Sequence, residues 1–262
     1  MRILYLDCFA GISGDMTLGA FLDLGVKEET LLTGLKKLNV DGYHIEISKK
    51  AKNGIMGTDV KVILEEDDHQ HDHHHHSHLE HTHHHHEHRN LKDIEKILDE
   101  SDLDQNVKEL SKKIFAKVAQ AEGKIHGKPI DQVHFHEVGA VDSIVDIVGA
   151  AICFCSLNVD KVISSPLHTG TGFVKCQHGN IPVPAPATLE ILRENKIPFK
   201  GMEISKELVT PTGAAIVATI TDEYSSIPEM EAISIGYGVG KRDLEIANLL
   251  RMVIGETKKK HL

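Results

Sequence analysis

The stretch MRILYLDCFAGISGDMTLGAFLDLG, residues 1–25, decides the architecture. Arg2–Leu6 is a short apolar run that reads as a buried strand. Asp7–Gly14 is a loop carrying two glycines, and a helix is predicted from there to about Leu24, with Gly25 as its stop. Strand, tight loop and helix in succession open an α/β unit, and the rest of the chain continues the alternation. Glu28–Leu38 reads as a helix with Leu31, Leu32, Leu35 and Leu38 on one face. Tyr43–Ser48 and Thr58–Leu64 alternate as strands, a hairpin-like pair joined through Gly54 and Gly57. Helices are predicted at Leu91–Leu98, at about Asn106–Ile125, within His134–Leu157, at Ala185–Asn195 and at Thr212–Thr221. Strands are predicted at Lys161–Ser165, Gly172–Gln177, Glu231–Ile235 and Leu249–Ile254. The expectation is an α/β layered fold with a mixed sheet, with α+β as the alternative. Residues 1–64 and 91–256 form two parts of one domain, split by an insert at 65–90 and followed by a basic tail at 257–262.

Composition narrows the function. The 262 residues carry 29 basic and 39 acidic side chains, a net charge of −10 with histidine neutral. A nucleic-acid binder needs positive charge to displace phosphate counterions, so that class is disfavoured. Tryptophan is absent and aromatics are 4%, which also disfavours a base-stacking platform. No segment approaches the ~18 apolar residues of a membrane span, and Asp7 interrupts the N-terminal apolar run too early for a secretory signal. Four cysteines, Cys8, Cys153, Cys155 and Cys176, form neither a disulfide framework nor a CxxC pair. A cytoplasmic protein is expected.

Histidine is the outlier. Thirteen of the twenty lie between positions 69 and 88: His69, His71, His73, His74, His75, His76, His78, His81, His83, His84, His85, His86 and His88. Asp67, Asp68, Asp72, Glu80 and Glu87 add negative charge among them. Neutral imidazole suits nickel, zinc and copper(II). Many imidazoles at variable spacing impose no single geometry, so the insert reads as a high-capacity, exchangeable metal sink. Composition does not choose nickel over zinc storage or over a metal-indifferent solvated loop, because copper(II) binds most nitrogen sites more tightly than nickel does. An internal run broken by acids does not fit a purification tag.

Two folded motifs carry candidate chemistry. In the loop Asp7–Asp15, Gly11 and Gly14 permit close backbone approach at a helix N-terminus, a place suited to a phosphate. Cys8 in that field is expected to have a lowered pKa. The plainer reading is a tight turn with Ser13 or Asp15 capping the helix. In HFHEVGAVDSIVDIVG, residues 134–149, Asp142 and Asp146 are four apart and share a helical face. Their neighbours are apolar nearly all round, so the helix is buried. Two carboxylates on its wall need a metal, a cation or hydrogen-bond donors. His134, His136 and Glu137 lie just ahead, so the cluster is either a metal site or general base or a buried capping network. Weaker signals are the glycine-bearing segments Gly170–Gly172, Thr210–Gly213 and Gly236–Gly240, read as loops beside strand ends, where α/β sheets bind ligands. Lys241 and Arg242 could neutralise a phosphate. His168 is either a strand-end ligand or a satisfied core residue, Cys176 and His178 could share a metal, and Cys153 and Cys155 are core.

The segments LDCFAGISGDMTLGAFLDLG (6–25), HFHEVGAVDSIVDIVGA (134–150), GTGFVKCQHGNIPVPAPAT (170–188), VTPTGAA (209–215) and GYGVGKRDLEIANLLRMVIGE (236–256) resemble the LarC nickel insertion proteins. The resemblance spans essentially the whole chain, and an internal His-rich insert is a family feature. It implies a nickel insertase, a cyclometallase of the lyase class, in lactate racemase maturation. The substrate would be a pyridinium mononucleotide with two thiocarboxylate arms, converted to the nickel-pincer cofactor. The implied reaction is CTP-dependent and assisted by Mn(II) or Mg(II), with the CTP site on a C-terminal half beyond this chain, which is then the N-terminal half. The catalytic candidates become Asp7, Cys8, Asp15, His136, Glu137, Asp142 and Asp146. The substrate-binding candidates become Gly11, Ser13, Gly14, Thr210, Thr212, Gly213 and Arg242, and Ni(II) is collected by the insert. The alternative is a non-enzymatic nickel or zinc storage protein or metallochaperone.

Metal binding by imidazole requires the neutral ring, so Ni(II) affinity of the full chain should fall steeply between roughly pH 7 and pH 5. Equilibrium dialysis at stepped pH checks this. A flat profile would instead identify carboxylate or thiolate ligands.

Overall fold

The computed structural model describes residues 1–65, 89–133, 135, 140–176 and 179–257. The histidines from His69 to His88, together with His134, His136, Glu137, His178, the Cys176 side chain and residues 258–262, lie outside the described residues.

A seven-stranded mixed sheet organises the molecule, built from β1 (Arg2–Asp7), β2 (Tyr43–Lys52), β3 (Ile55–Leu64), β4 (Lys161–Ser164), β9 (Glu223–Tyr224), β10 (Glu231–Val239) and β11 (Leu249–Glu256). Its order is β2-β3-β10-β11-β1-β4-β9. Strands from both sides of positions 66–88 therefore share one sheet. β1 pairs parallel with β4 and antiparallel with β11, β11 is antiparallel to β10, and β10 is parallel to β3. The carboxyl ends of β1, β3, β4 and β10 consequently point the same way. Two small ladders stand apart, β5 (Leu167–Thr169) with β8 (Phe199–Gly201) and β6 (Phe173–Cys176) with β7 (Gly179–Pro182).

The period-two alternation of the central strands divides the core. Leu4, Leu6, Val162, Leu250, Met252 and Ile254 face the helices in the main cluster, whereas Ile3, Tyr5, Ile163 and Val253 form a small cluster on the opposite face, covered by Met230. β1 is buried on both sides, which explains its nearly unbroken apolar run. The helices are α1 (Gly14–Leu24), α2 (Glu28–Lys36), α3 (Leu91–Glu100), α4 (Gln105–His126), α5 (Val141–Cys155), α6 (Pro186–Glu194) and α7 (Pro211–Ile220). Gly25 closes α1 in the left-handed region at φ 117°, and the Val26 N–H donates to the Phe21 carbonyl. Asn90 and Asp93 form a capping box that starts α3. No helix among the described residues is long and apolar enough to cross a membrane.

Two expectations need correction. The β2–β3 hairpin turns at Asn53-Gly54, both at positive φ, with Lys52 opposite Ile55. Gly57 is a strand residue and not part of the connection. The strands run further than their apolar alternation because Lys49, Lys50 and Lys52 are held by Asp23, Asp59 and Asp243. More consequentially, Gly236–Val239 is not a loop but the end of β10. Its glycines recur every second residue on the face against α1. A methyl at Gly238 would collide with the Met16 carbonyl, one at Gly236 with the Leu24 backbone, and one at Gly19 of α1 with the Thr58 carbonyl of β3. The helix therefore lies on the sheet at backbone distance.

Gly238→Ala should lower unfolding free energy by roughly 1–3 kcal/mol or more, because the added carbon would run into the Met16 and Ala20 backbone of α1. Gly201→Ala, which faces open space, should stay within about 0.5 kcal/mol. Denaturant titration of the two variants gives the comparison.

Candidate active site

Close seating of α1 on β10 brings the start of the helix, just after β1, beside the turn that follows β10. There a cavity of about 310 Å³ opens at the carboxyl edge of the parallel strands. Three helix N-termini supply its wall: Ser13, Gly14 and Asp15 of α1, Asp142 and Ser143 of α5, and Thr210, Pro211 and Thr212 of α7. Lys241, Arg242 and Asn248 come from the segment joining β10 to β11, and Glu207 precedes α7. Aligned peptide dipoles make each of these helix ends a region of positive potential.

The packing that forms the cavity leaves no spare room. A Cβ at Gly14 would overlap the Asp146 carboxylate, and one at Gly213 would overlap the Ile12 carbonyl. Gly11 takes φ 88° and lies against the Leu208 backbone, where the Ile12 N–H donates to the Leu208 carbonyl at 2.9 Å. Gly11 and Gly213 thus shape the cavity from behind. Thr210 caps α7, its hydroxyl accepting from the Gly213 N–H at 3.1 Å.

The charges are arranged in pairs with a remainder. Asp15 accepts from the Ser13 hydroxyl and, at 2.9 Å, from the Met16 N–H, and its other oxygen lies 3.3 Å from Lys241 Nζ. Ser13 is the N-cap residue of α1 but its side chain makes no cap hydrogen bond; of the two capping candidates only Asp15 accepts a backbone N–H of the first turn. Arg242 stands 3.7 Å from Glu207. Asp142 is exposed and accepts from the Ser143 N–H at 2.7 Å. Asp146 is half-buried, with Oδ1 sealed from solvent and without a hydrogen-bond partner among the described residues. Burial foremost, and then the negative charges of Asp15 and Asp142, push the Asp146 carboxyl well above the usual carboxylate range, with Lys241 partly opposing. Burial would pull the Lys241 ammonium down, but Asp15, Asp146 and Asp142 hold it above its ordinary value.

The cavity thus gathers Ser13, Gly14, Asp15, Asp142, Asp146, Thr210, Thr212 and Arg242 from the sequence candidates. Asp7 and Cys8 do not line it. Asp7 pairs with Arg251 of β11, whose Nε donates at 2.9 Å. The expected lowering of the Cys8 pKa is overturned: burial pushes the thiol up to about 12, and neighbouring Asp7 adds to this despite the Ser164 hydroxyl 3.9 Å from Sγ. The helix end that was to lower it is outweighed by removal from water. His168 is a satisfied residue, its Nδ1 2.7 Å from the Phe9 carbonyl. Glu207 and Asn248 escaped the sequence reading. Asn248 donates to the Arg242 carbonyl at 2.8 Å and its carbonyl accepts from Gly240 N–H at 2.9 Å, pinning the segment that presents Lys241 and Arg242. Glu207 has no local signal because its partner Arg242 arrives through the fold, whereas Asn248 acts on its own connecting segment, six and eight residues back. Among the described residues no three His, Cys, Asp or Glu side chains converge as a ready-made metal centre.

The sign of the Asp146 shift makes stability pH-dependent. The folded protein holds this proton more tightly than the unfolded chain, so stability falls as pH rises from about 4, where an ordinary aspartate ionises, through the raised folded value. Asp146→Asn escapes that loss. In chelator-treated buffer it should be more stable than the parent by about 1 kcal/mol or more at pH 7, with the gap closing below about pH 4. Denaturant titrations across pH measure it, and a variant less stable at pH 7 would contradict the electrostatic account.

Comparison with known proteins places the chain in a family. The family model described as nickel insertion protein matches residues 4–262. Proteins named pyridinium-3,5-bisthiocarboxylic acid mononucleotide nickel insertion protein are similar over nearly all of the chain. The one from Acetivibrio thermocellus is 53% identical over 99% of this chain and 62% of its own length. The one from Clostridium kluyveri is 53% identical over 99% and 63%, and that from Geobacillus kaustophilus 49% over 98% and 60%. The chain spans about three-fifths of the length of these relatives. No solved structure gives a significant match. A family match from residue 4 to the last residue, with about half of all positions identical to such relatives, establishes that this chain belongs to the nickel insertion protein family.

Proposed function

We propose that the chain takes part in inserting Ni(II) into pyridinium-3,5-bisthiocarboxylic acid mononucleotide, forming a nickel-pincer nucleotide. The observation that carries this reading is one cavity in which helix N-termini and two basic side chains meet uncompensated carboxylates. A mononucleotide phosphate suits the former. Forming a nickel–carbon bond releases the ring C–H proton, and a carboxylate of the Asp142–Asp146 face is the base this reading assigns. Such a base is worth about 10²–10⁴-fold. Ni(II) is the substrate metal. It would be collected by the imidazoles of His69–His88 and passed to the thiocarboxylate sulfurs, which bind it more tightly than imidazole does.

The wider setting belongs to the same proposal. It comprises cytoplasmic lactate racemase maturation, a cyclometallase of the lyase class, CTP with Mn(II) or Mg(II), and a separate C-terminal half carrying the CTP site. The excess of acidic over basic residues supports a small-molecule partner and not a nucleic acid.

Reconstitution tests the reading: purified chain, mononucleotide, Ni(II), CTP and Mn(II), with and without the C-terminal half, read by product mass. The expected product gains one nickel and loses the ring proton. Asp142→Asn should reduce its formation at least about 100-fold while the circular dichroism spectrum is unchanged. Full product from both Asp142→Asn and Asp146→Asn would overturn the assignment of the base to this face. Failure of the chain to bind the mononucleotide at all would favour the storage or metallochaperone alternative.

A further inference from the structure

We propose that β2 is a dimerisation edge: two copies of this chain pair antiparallel through it, with Ser48 on the two-fold axis, and join their sheets into one. The inference is independent of the cavity and of the reading above. β2 ends the seven-stranded sheet, and among the described residues no strand lies beyond it. The opposite end of the sheet is β9, a strand of two residues and too short to template another chain. β2 is ten residues long, contains no proline and pairs with β3 from Tyr43–Leu64 to Lys52–Ile55 without a bulge. Lysine commonly guards such an edge. The three lysines here are already held by carboxylates of the same chain, Lys49 by Asp23, Lys50 by Asp59 and Lys52 by Asp243.

The hairpin fixes which backbone groups are free. Asn53 and Gly54 form a two-residue turn at positive φ, so the flanking residues Lys52 and Ile55 exchange both hydrogen bonds. Bonded pairs then recur at every second residue. The Glu65 N–H, donating to the Gly42 carbonyl at 3.1 Å, continues the series at the far end. Even-numbered residues of β2 therefore face β3, and the N–H and C=O groups of Tyr43, Ile45, Ile47, Lys49 and Ala51 face outward. A second β2 satisfies them, and charge selects its register. With the two Ser48 residues opposite each other, Glu46 of each copy stands across from Lys50 of the other, Ile45 from Ala51, and Ile47 from Lys49. Centring the pair on Glu46 opposes two glutamates, centring it on Lys49 opposes two lysines, and centring it on Ile47 forfeits both Glu46–Lys50 attractions. Glu46 is exposed, and Lys50, 44% exposed, keeps donors for it after meeting Asp59. The Ser48 pair is then a non-hydrogen-bonded one, its Cα atoms about 4.5 Å apart.

Sedimentation equilibrium of the full chain tests the edge, in chelator-treated buffer so that metal cannot bridge imidazoles of different copies. Between about 1 and 100 μM the parent should approach twice its chain mass of 28.9 kDa. Ala51→Pro removes an outward N–H and leaves the β3 ladder intact; it should dissociate the dimer while the circular dichroism spectrum is unchanged. Glu46→Lys, which asks nothing of the backbone, should raise the dissociation constant at least about tenfold. Ser48→Cys should form a disulfide-linked dimer on mild oxidation, because the Cα separation suits that bond, and adding Glu46→Lys should suppress it. A parent that stays monomeric up to about 100 μM, or a dimer whose dissociation constant neither Ala51→Pro nor Glu46→Lys changes, would overturn the proposal.

Discussion

The contact between α1 and the sheet is the constraint from which the rest follows. Gly19 on the helix and Gly236 and Gly238 on β10 let main chain approach main chain. The Ser234 hydroxyl, on the same face of β10, donates to the Leu24 carbonyl at 2.5 Å. Asp23 reinforces the seat from its edge by accepting from the Tyr237 N–H at 2.8 Å and from the Thr58 hydroxyl at 2.9 Å, and by pairing with Lys49. A helix held this low brings its first turn within reach of Lys241. Raised by one side-chain layer, as in ordinary helix-on-sheet packing, Asp15 and Lys241 would not meet.

The second determinant is the dry flank of α5. Nine of its fifteen residues are buried, so the helix cannot rotate to release Asp146 into water without exposing Ile144, Val145 and Ile147. The carboxylate is kept in an unfavourable place by the apolar packing of its neighbours. Buried titratable groups with displaced pKa values cluster where proteins do chemistry. Here the displacement has a structural cause that can be traced residue by residue, from core packing through solvent exclusion to charge repulsion with Asp15 and Asp142.

Much of this was legible in the amino-acid order. The strand–loop–helix opening, the Gly25 stop, the apolar α5 and the shared face of Asp142 and Asp146 all depend on neighbours within a few turns, and local rules suffice for them. The glycines at 236 and 238 were misread because glycine is a common loop residue, although their period of two was a strand signal, whereas Gly240 does lie in the connection after β10. The Cys8 environment depends on Ser164, more than 150 positions away, and the pairing of Asp15 with Lys241 depends on how β1 and β10 lie across β11. Nothing near either residue in the chain announces those encounters. Lys241 and Arg242 were visible as basic residues after a glycine run, but their acidic counterparts became evident only with the sheet assembled.

The cavity is contributed by segments near residues 13–16, 142–146, 207–212 and 240–248, which together tie the first strand to the last. No short contiguous fragment contains it. Whatever occupies it acts as a clasp across nearly the whole sequence, so occupancy opposes global opening and protects the chain as a unit from proteolysis in proportion to ligand concentration. Ligand competence is accordingly a certificate of completed folding: a nascent chain that has not yet laid β10 and β11 against β1 has no pocket to fill.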